Sequence, residues 1–156
     1  MTATYTAPTR RFDSPETVLN LLRGRGLRVS ASRRVVLGTL FAAERPVTAE
    51  QIADGLGGCR TEVDVASVYR NLETLEELGV VRHFHAGHGP GRYVLAGDGD
   101  REYLACDRCG ALETVDAREV DSVRDEIRAR FGFEVSFTHF PMVGSCRECS
   151  EGRAGG

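Results

Sequence analysis

The sequence predicts an α+β fold in two parts, a winged helix-turn-helix followed by a small domain that is held together by a metal. Three short amphipathic segments and one longer segment read as helices, and two short strand-like segments follow them. Two C-x-x-C pairs then frame the last third of the 156-residue chain. A chain of this length holds one large domain or two small ones, and a metal suits a small second domain.

The first three helices are predicted from their start and stop signals. Ser14-Pro15 opens the first, because serine caps helices and proline is favoured at the first helical position. The second begins near Ser30 or Ser32 and stops before Pro46. The third has Thr48 as its cap and is expected to end at Gly57-Gly58. These are short helices joined by tight connections.

The fourth helix is predicted over residues 65–79, where apolar residues recur at helical spacing from Val68 to Leu78. The side chains expected to face outward near its N-terminus are Ser67, Tyr69, Arg70 and Asn71. Such a set contacts phosphates and base edges when a helix end enters the major groove. Helix-turn-helix units also mediate protein contacts, so the docking of a protein partner is the alternative.

A hairpin is predicted to complete the winged helix. Residues 80–85 alternate like a strand, residues 87–91 form a glycine-rich turn, and residues 92–95 return. All 20 basic residues are arginines, and residues 1–95 carry 12 of them against 10 acidic residues, whereas residues 96–156 carry 8 against 13. The positive charge is therefore concentrated in the part that would meet a phosphate partner.

The cysteine spacing predicts a structural zinc site. Cys106 and Cys109 form one C-x-x-C turn, Cys146 and Cys149 form another, and 36 residues separate the two turns. Two such turns supply four thiolates to one tetrahedral ion and leave no ligand position open. Redox pairs or disulfides are the alternatives, and Cys59 is interpreted as an unpaired thiol without a function.

No apolar run approaches the length of a membrane span and nothing resembles a cleavable signal, so we expect a cytoplasmic protein with no membrane partner. The expected boundaries are a flexible segment 1–13, a winged-helix domain 14–96, a hinge 97–101, a second domain 102–150 and a flexible tail 151–156.

Four sequence motifs resemble the ferric-uptake-regulator family of metal-responsive bacterial repressors, over roughly residues 15 to 150. They are Gly26-Leu27-Arg28-Val29-Ser30, Ser67-Val68-Tyr69-Arg70-Asn71-Leu72, Cys106-Asp107-Arg108-Cys109-Gly110 and Gly144-Ser145-Cys146-Arg147-Glu148-Cys149. The resemblance implies that Tyr69 contacts thymine and the DNA backbone and that Arg70 contacts phosphates or bases. It also implies that Arg28 enters the minor groove.

The same resemblance implies that residues from about 102 onward form a small α/β dimerisation domain. Its strands are expected near 102–106, 111–115 and 134–142, with a helix from about 118 to 131. The four-thiolate zinc would fasten the last strand to the first hairpin. A two-fold homodimer would then present two recognition helices to a palindromic double-stranded DNA operator.

The histidines depart from the commoner family pattern and predict a different regulatory metal site. Residues 99–103 hold no run of histidines, and Pro46 stands where family members carry another histidine. Instead, His83 and His85 are spaced to share one strand face, and His139 lies in the second domain. This set is similar to the nickel-responsive branch of the family, in which the three matching histidines are ligands. His88, in the turn, is a fourth candidate.

The identity of the regulatory metal is less constrained by the sequence. Imidazole ligands favour nickel, zinc, copper or cobalt, and nickel is favoured by the resemblance, while zinc and iron stay possible. The alternative interpretation is that His83 and His85 only form hydrogen bonds. Asp100, Glu102 and Asp121 match positions that bind a further metal in some relatives, although carboxylates in an acidic domain are more often solvated.

These features predict a transcriptional repressor whose affinity for its operator is controlled by a metal ion. The alternatives are a peroxide- or iron-responsive member of the same family and a metal-independent regulator that has only the structural zinc. A zinc enzyme is a remote alternative, because the sequence has no H-E-x-x-H or comparable pair to supply an open metal site with a general base.

Overall fold

The computed structural model describes residues 11–56, 62–85, 89–97, 101–135 and 141–152. These residues fall into two compact units. The first comprises residues 11–56, 62–83 and 90–97, and the second comprises residues 84–85, 89, 101–135 and 141–152. No helix among these residues has the length and the apolar character needed to cross a membrane.

Four helices make up most of the first unit. They are α1 (Pro15–Gly24), α2 (Ala31–Ala42), α3 (Ala49–Asp54) and α4 (Val65–Glu77). Each begins at a side chain that accepts a hydrogen bond from a backbone N–H three residues on, which satisfies an otherwise unpaired donor. These caps are Ser14, Ser30, Thr48 and Asp64. The helix starts predicted from Ser14, Ser30 and Thr48 are confirmed.

Helix α3 is shorter than the sequence suggested. It ends at Asp54, because Gly55 adopts a φ of 80°, a conformation that glycine tolerates and other residues rarely adopt. The stop expected at Gly57-Gly58 lies outside the described residues. The third helix is therefore a two-turn element, which a capping box between Thr48 and Gln51 stabilises at its start.

The core of the first unit lies between the four helices and a two-stranded sheet of β1 (Val81–Phe84) and β2 (Arg92–Leu95). Phe84, the last residue of β1, belongs to the second unit. Val68, Leu72 and Leu75 on α4 are fully buried, as their spacing predicted. Strand β1 ends one residue earlier than expected, so His85 lies just beyond it. The buried apolar side of α4 thus holds the helix in the core, while Tyr69, near its N-terminal end, stays exposed.

The second unit is built on a three-stranded sheet in the order β4-β3-β5. The central strand β3 (Arg101–Cys106) pairs antiparallel with β4 (Leu112–Asp116) and parallel with β5 (Met142–Gly144). A 3₁₀ turn (Ala117–Val120) leads into α5 (Asp121–Phe131), and α6 (Arg147–Glu151) follows β5.

Two elements of the second unit differ from the sequence-based expectation. The strand expected over 134–142 is not present at residues 134 and 135, and β5 begins only at Met142, while residues 136–140 lie outside the described ranges. Helix α6 was not expected. It matters because it carries Cys149, with Cys146 at its N-cap.

Candidate metal sites and recognition helix

The four cysteines of the two C-x-x-C turns converge. Cys106 ends β3, Cys109 lies in the turn that follows, and Cys146 and Cys149 begin α6. The four Sγ atoms all lie within 4.8 Å of one another, and those of Cys109 and Cys146 are 3.8 Å apart. None of the four forms a disulfide. Since Zn–S bonds of ~2.3 Å in a tetrahedron place the sulfurs about 3.8 Å apart, the donor set fits one zinc ion.

The electrostatics of this cluster also favour a cation. Backbone N–H groups of Cys109, Cys146 and Arg108 lower the pKa of the Cys106 thiol to about 6, and the N–H of Cys146 lies 3.3 Å from its sulfur. The sulfurs of Cys146 and Cys109 raise the pKa of the Cys149 thiol to about 12. Four thiolates therefore cannot share this small volume unless a positive ion compensates their charge.

The two described histidines of the predicted regulatory site have their Nδ1 atoms engaged. Nδ1 of His83, on β1, is bonded to Oε1 of Glu76, which lies in the last turn of α4. Nδ1 of His85 lies 3.3 Å from the carbonyl oxygen of Gly89. A carboxylate and a carbonyl accept and do not donate, so each Nδ1–H is the donor, and in the neutral imidazole Nε2 is then the nitrogen that can bind a metal ion. This tautomer suits a metal ligand.

The rest of the predicted histidine set is not described. His88 and His139 lie outside the described residues. Within the ranges that are described, the four cysteines are the only group of three or more potential ligands that come together. The expectation that His83 and His85 share one strand face does not hold as stated, because β1 ends between them at Phe84.

Glu102 and Asp121, the carboxylates of the predicted further metal site, are bridged by an arginine. Arg124 forms an ion pair with Oε1 of the buried Glu102, and it donates to Asp121 Oδ1 at 2.9 Å and to the Ala117 carbonyl at 3.0 Å. Asp100 lies outside the described residues. The guanidinium supplies positive charge where the sequence suggested a metal ion. No sequence pattern indicated that Arg124 would pair with Glu102, which lies 22 positions away.

The exposed N-terminal end of α4 carries side chains that are held in place by neighbours. Ser67 donates its hydroxyl to Asp64 at 2.7 Å, and Arg70 donates to the Ser67 hydroxyl at 2.9 Å. Tyr69 is 41% exposed, and its hydroxyl donates to Glu50 on α3 at 3.1 Å. These bonds fix three of the four side chains that the sequence predicted to face outward.

The expectation that Asn71 faces outward is wrong. Its side chain is only 6% exposed, and its amide donates to the carbonyl of Ser67 and to the hydroxyl of Ser32. Its Oδ1 accepts from Nε of Arg33 at 2.8 Å, and the same guanidinium donates to the carbonyl of Arg28 at 2.7 Å. Asn71 therefore joins α4 to α2 and to the preceding loop.

The helical spacing could have revealed the position of Asn71. It lies three residues after Val68 and four before Leu75, and both of these are fully buried. Residues at these separations share one face of a helix, so Asn71 belongs to the inner face. Arg33, which sequence reasoning missed as a functional residue, is identified only by this contact. The side chain of Arg28 is exposed, as a DNA-contacting residue requires.

The chain is similar to known proteins over most of its length. Residues 24–142 match the model of the ferric uptake regulator family. The peroxide operon regulator of Bacillus subtilis is 29% identical over 133 residues, which are 85% of this chain and 91% of that protein.

Two solved structures resemble the chain over most of its length. The ferric uptake regulator Fur of Helicobacter pylori, described as having three functional metal binding sites, superposes with a TM-score of 0.69. It covers 91% of this chain and 97% of its own at 20% identity, which shows a shared fold. A zinc uptake regulator complexed with zinc and DNA gives a TM-score of 0.56 at 25% identity, over 90% of this chain and 95% of its own. Because the family model spans well over half of the sequence, the chain belongs to the ferric uptake regulator family, whose members are transcription regulators and not enzymes.

Proposed function

We propose that the protein is a metal-responsive repressor that binds a palindromic DNA operator as a homodimer, with a histidine-bound metal ion controlling its affinity. The observation that carries the proposal is the arrangement along α4. Its N-terminal end presents Tyr69 and Arg70, and its C-terminal end is bonded to His83. One helix therefore links the candidate DNA contacts to a candidate metal ligand.

The four helices and the two-stranded sheet would work as a winged helix, with α4 as the recognition helix. Ser67, Tyr69 and Arg70 would contact the major groove and its phosphates, and Arg28 would enter the minor groove. The zinc uptake regulator that is 25% identical to this chain is described in complex with DNA, which supports this use of the fold.

Exposed apolar residues of the second unit support the homodimer. Helix α5 has no buried residue, and its apolar side chains recur every four residues at Val123, Ile127 and Phe131. Val123 is 43% exposed and Phe131 is 74% exposed, and Phe133 just beyond the helix is 67% exposed. A second copy of this chain is the occupant that would bury this stripe, because a two-fold dimer is what a palindromic operator requires.

We propose two metal ions per chain. A structural zinc would be held by Cys106, Cys109, Cys146 and Cys149. An exchangeable ion, expected to be nickel(II), would be held by His83, His85 and His139, with His88 as the fourth candidate ligand. Imidazole donors suit late first-row metals, and metal binding would favour the arrangement of the chain in which these side chains meet.

Replacing His85 by alanine tests the regulatory site. The variant should lose the exchangeable ion and keep about one zinc per chain, because the cysteine cluster does not involve His85. It should also lose the dependence of DNA affinity on metal, which we expect to be about 5- to 150-fold in the wild type, since allosteric coupling typically amounts to roughly 1 to 3 kcal/mol.

The measurements are elemental analysis after mild chelation and titration with nickel, zinc, cobalt and iron(II), and fluorescence anisotropy on a duplex selected by the wild type from a randomised library. An exchangeable ion that persists in His85→Ala would refute the site assignment. A preference for iron(II) together with loss of DNA binding after peroxide treatment would instead support the peroxide-responsive alternative. A wild type without any exchangeable ion would indicate a metal-independent regulator.

Replacing Glu50 by glutamine should strengthen DNA binding. The backbone N–H of Glu50 itself and, to a smaller extent, the Tyr69 hydroxyl lower the pKa of the Glu50 carboxyl, so its negative charge is present at neutral pH beside a candidate DNA contact. Glutamine still accepts from Tyr69 but removes the charge. We expect affinity to rise about 1.4- to 5-fold, equivalent to ~0.2 to 1 kcal/mol for an exposed charge.

The matched control for Glu50→Gln is Glu44→Gln, which makes the same change at an exposed position outside α3 and α4. Anisotropy titrations at two salt concentrations should show that the gain shrinks as salt rises, because salt screens exposed charges. Equal effects of the two variants would mean that Glu50 does not face the DNA.

A further inference from the structure

We infer that Glu76 is a positioning residue for the regulatory metal, which fixes the tautomer and orientation of His83 and connects that ligand to the recognition helix. This inference rests on the proposed metal role of His83 and adds how the site reaches the DNA-binding surface. It starts from the bond between Oε1 of Glu76, in the last turn of α4, and Nδ1 of His83 on β1.

The turn between α4 and β1 makes this contact a fixed feature of the fold. The N–H of Gly79 donates to the carbonyl of Glu76, and the N–H of Val80 donates to the carbonyl of Leu75, both at 2.8 Å. Gly79 has a φ of 68°, which favours glycine. Val80 and Val81 are then buried in the core. The chain therefore reverses with a defined geometry that returns residue 83 to the end of the helix.

A carboxylate at this place has a specific chemical effect on the imidazole. By accepting from Nδ1, it favours the neutral tautomer in which Nε2 is the nitrogen that can bind a metal ion. The ring of Tyr93 lies beside His83, with centroids 5.7 Å apart and planes inclined at 35°. The imidazole is therefore bounded by a carboxylate at Nδ1 and by a largely buried aromatic ring.

Glu76 also gives His83 a direct mechanical connection to the DNA contacts. Glu76 lies six positions after Arg70 in one continuous helix, a rise of about 9 Å at ~1.5 Å per residue. The intervening Leu72 and Leu75 are fully buried. Any movement of His83 that accompanies metal binding would thus act on α4 as a whole and reach Arg70 along the helix.

The test compares Glu76→Ala and Glu76→Gln with Glu77→Gln, the neighbouring exposed acid, as the matched control. In metal-free protein, long-range ¹H–¹⁵N NMR spectra report the tautomer of His83. We expect Nδ1–H in the wild type and in Glu77→Gln, a shift toward Nε2–H in Glu76→Ala, and retention of Nδ1–H in Glu76→Gln, whose amide oxygen still accepts.

Nickel(II) affinity, measured by competition with a chelator, is the second readout. Glu76→Ala should weaken it about 10- to 100-fold, the usual cost of losing such a supporting carboxylate, and Glu76→Gln should restore part of the loss. Zinc content and the helical circular dichroism should be unchanged in all three variants. A Glu76→Ala protein with the wild-type tautomer and wild-type nickel affinity would overturn the inference.

The His85→Ala variant distinguishes an error about the role of Glu76 from an error about the proposed metal site. If His85→Ala abolishes nickel binding while Glu76→Ala does not weaken it, the site exists and only the role of Glu76 is wrong. If His85→Ala keeps the exchangeable nickel, the site assignment itself is wrong, and the inference is overturned with it.

Discussion

Replacing Cys146 by serine is expected to remove the structural zinc and to unfold much of the second unit. Zinc content should fall from about one ion per chain to a small fraction, because one of four converging thiolates is lost. In zinc-finger peptides, structural zinc contributes ~10 to 16 kcal/mol of apparent binding free energy. In a small domain this binding is coupled to folding and stabilises the folded state.

The second unit has little else to replace that contribution. Helix α5 buries no residue, and the described core of the unit is small. Phe84 stacks on Tyr103 at a centroid distance of 4.7 Å, and Ala105, Cys106 and Val120 are also buried. We therefore expect loss of the dimer in light scattering and loss of amide protection across β3, β4 and β5 in hydrogen exchange.

The matched control is Cys59→Ser, which removes the fifth cysteine of the chain. It should keep zinc, dimer and amide protection, in line with the sequence-based expectation that this thiol has no function. Tight zinc binding at wild-type stoichiometry in Cys146→Ser would contradict the four-cysteine assignment.

Replacing Asn71 by alanine is the second change from which we expect a large effect. It removes the acceptor of Arg33 and two bonds donated by the Asn71 amide, all in a site that is 6% exposed. We expect the free energy of unfolding to fall by roughly 2 to 4 kcal/mol, because a charged bond contributes ~1.5 to 3 kcal/mol and buried groups left unpaired add to the loss.

The DNA affinity of Asn71→Ala should also fall, even at temperatures where the variant stays folded. Arg33 connects Asn71 on α4 to the carbonyl of Arg28, so losing the Asn71 side chain releases Arg28 from the helix that carries Tyr69 and Arg70. Urea unfolding and anisotropy on the selected duplex measure the two effects. Asn20→Ala, at an exposed position on α1, is the control. If both variants unfold at the same urea concentration, Asn71 does not have the structural role assigned to it.

Elements that depend on a few neighbouring residues could be predicted from the sequence. The starts of α1, α2 and α3 follow from Ser14, Ser30 and Thr48, since a capping bond spans only three residues. The buried stripe of α4 follows from its spacing for the same reason. The strand that the family resemblance implied at residues 134 and 135 is not present, because a strand exists only if a partner pairs with it.

The partners of polar side chains could not be predicted. Arg33 meets Asn71 across 38 positions, Arg124 meets Glu102 across 22, and Glu76 meets His83 only because Gly79 reverses the chain. Each pairing depends on which elements pack together and on which atoms are thereby removed from water.

The sequence by itself determined the family, the helix starts and the two C-x-x-C turns, because these are properties of residues close together along the chain. Only the tertiary structure decided that the two turns meet, through the parallel pairing of β3 with β5, and that Asn71 points inward and Arg124 lies between Glu102 and Asp121. The physical reason is that local hydrogen bonds and periodicity act over three or four residues, whereas burial and charge pairing depend on segments that only the folded chain brings together.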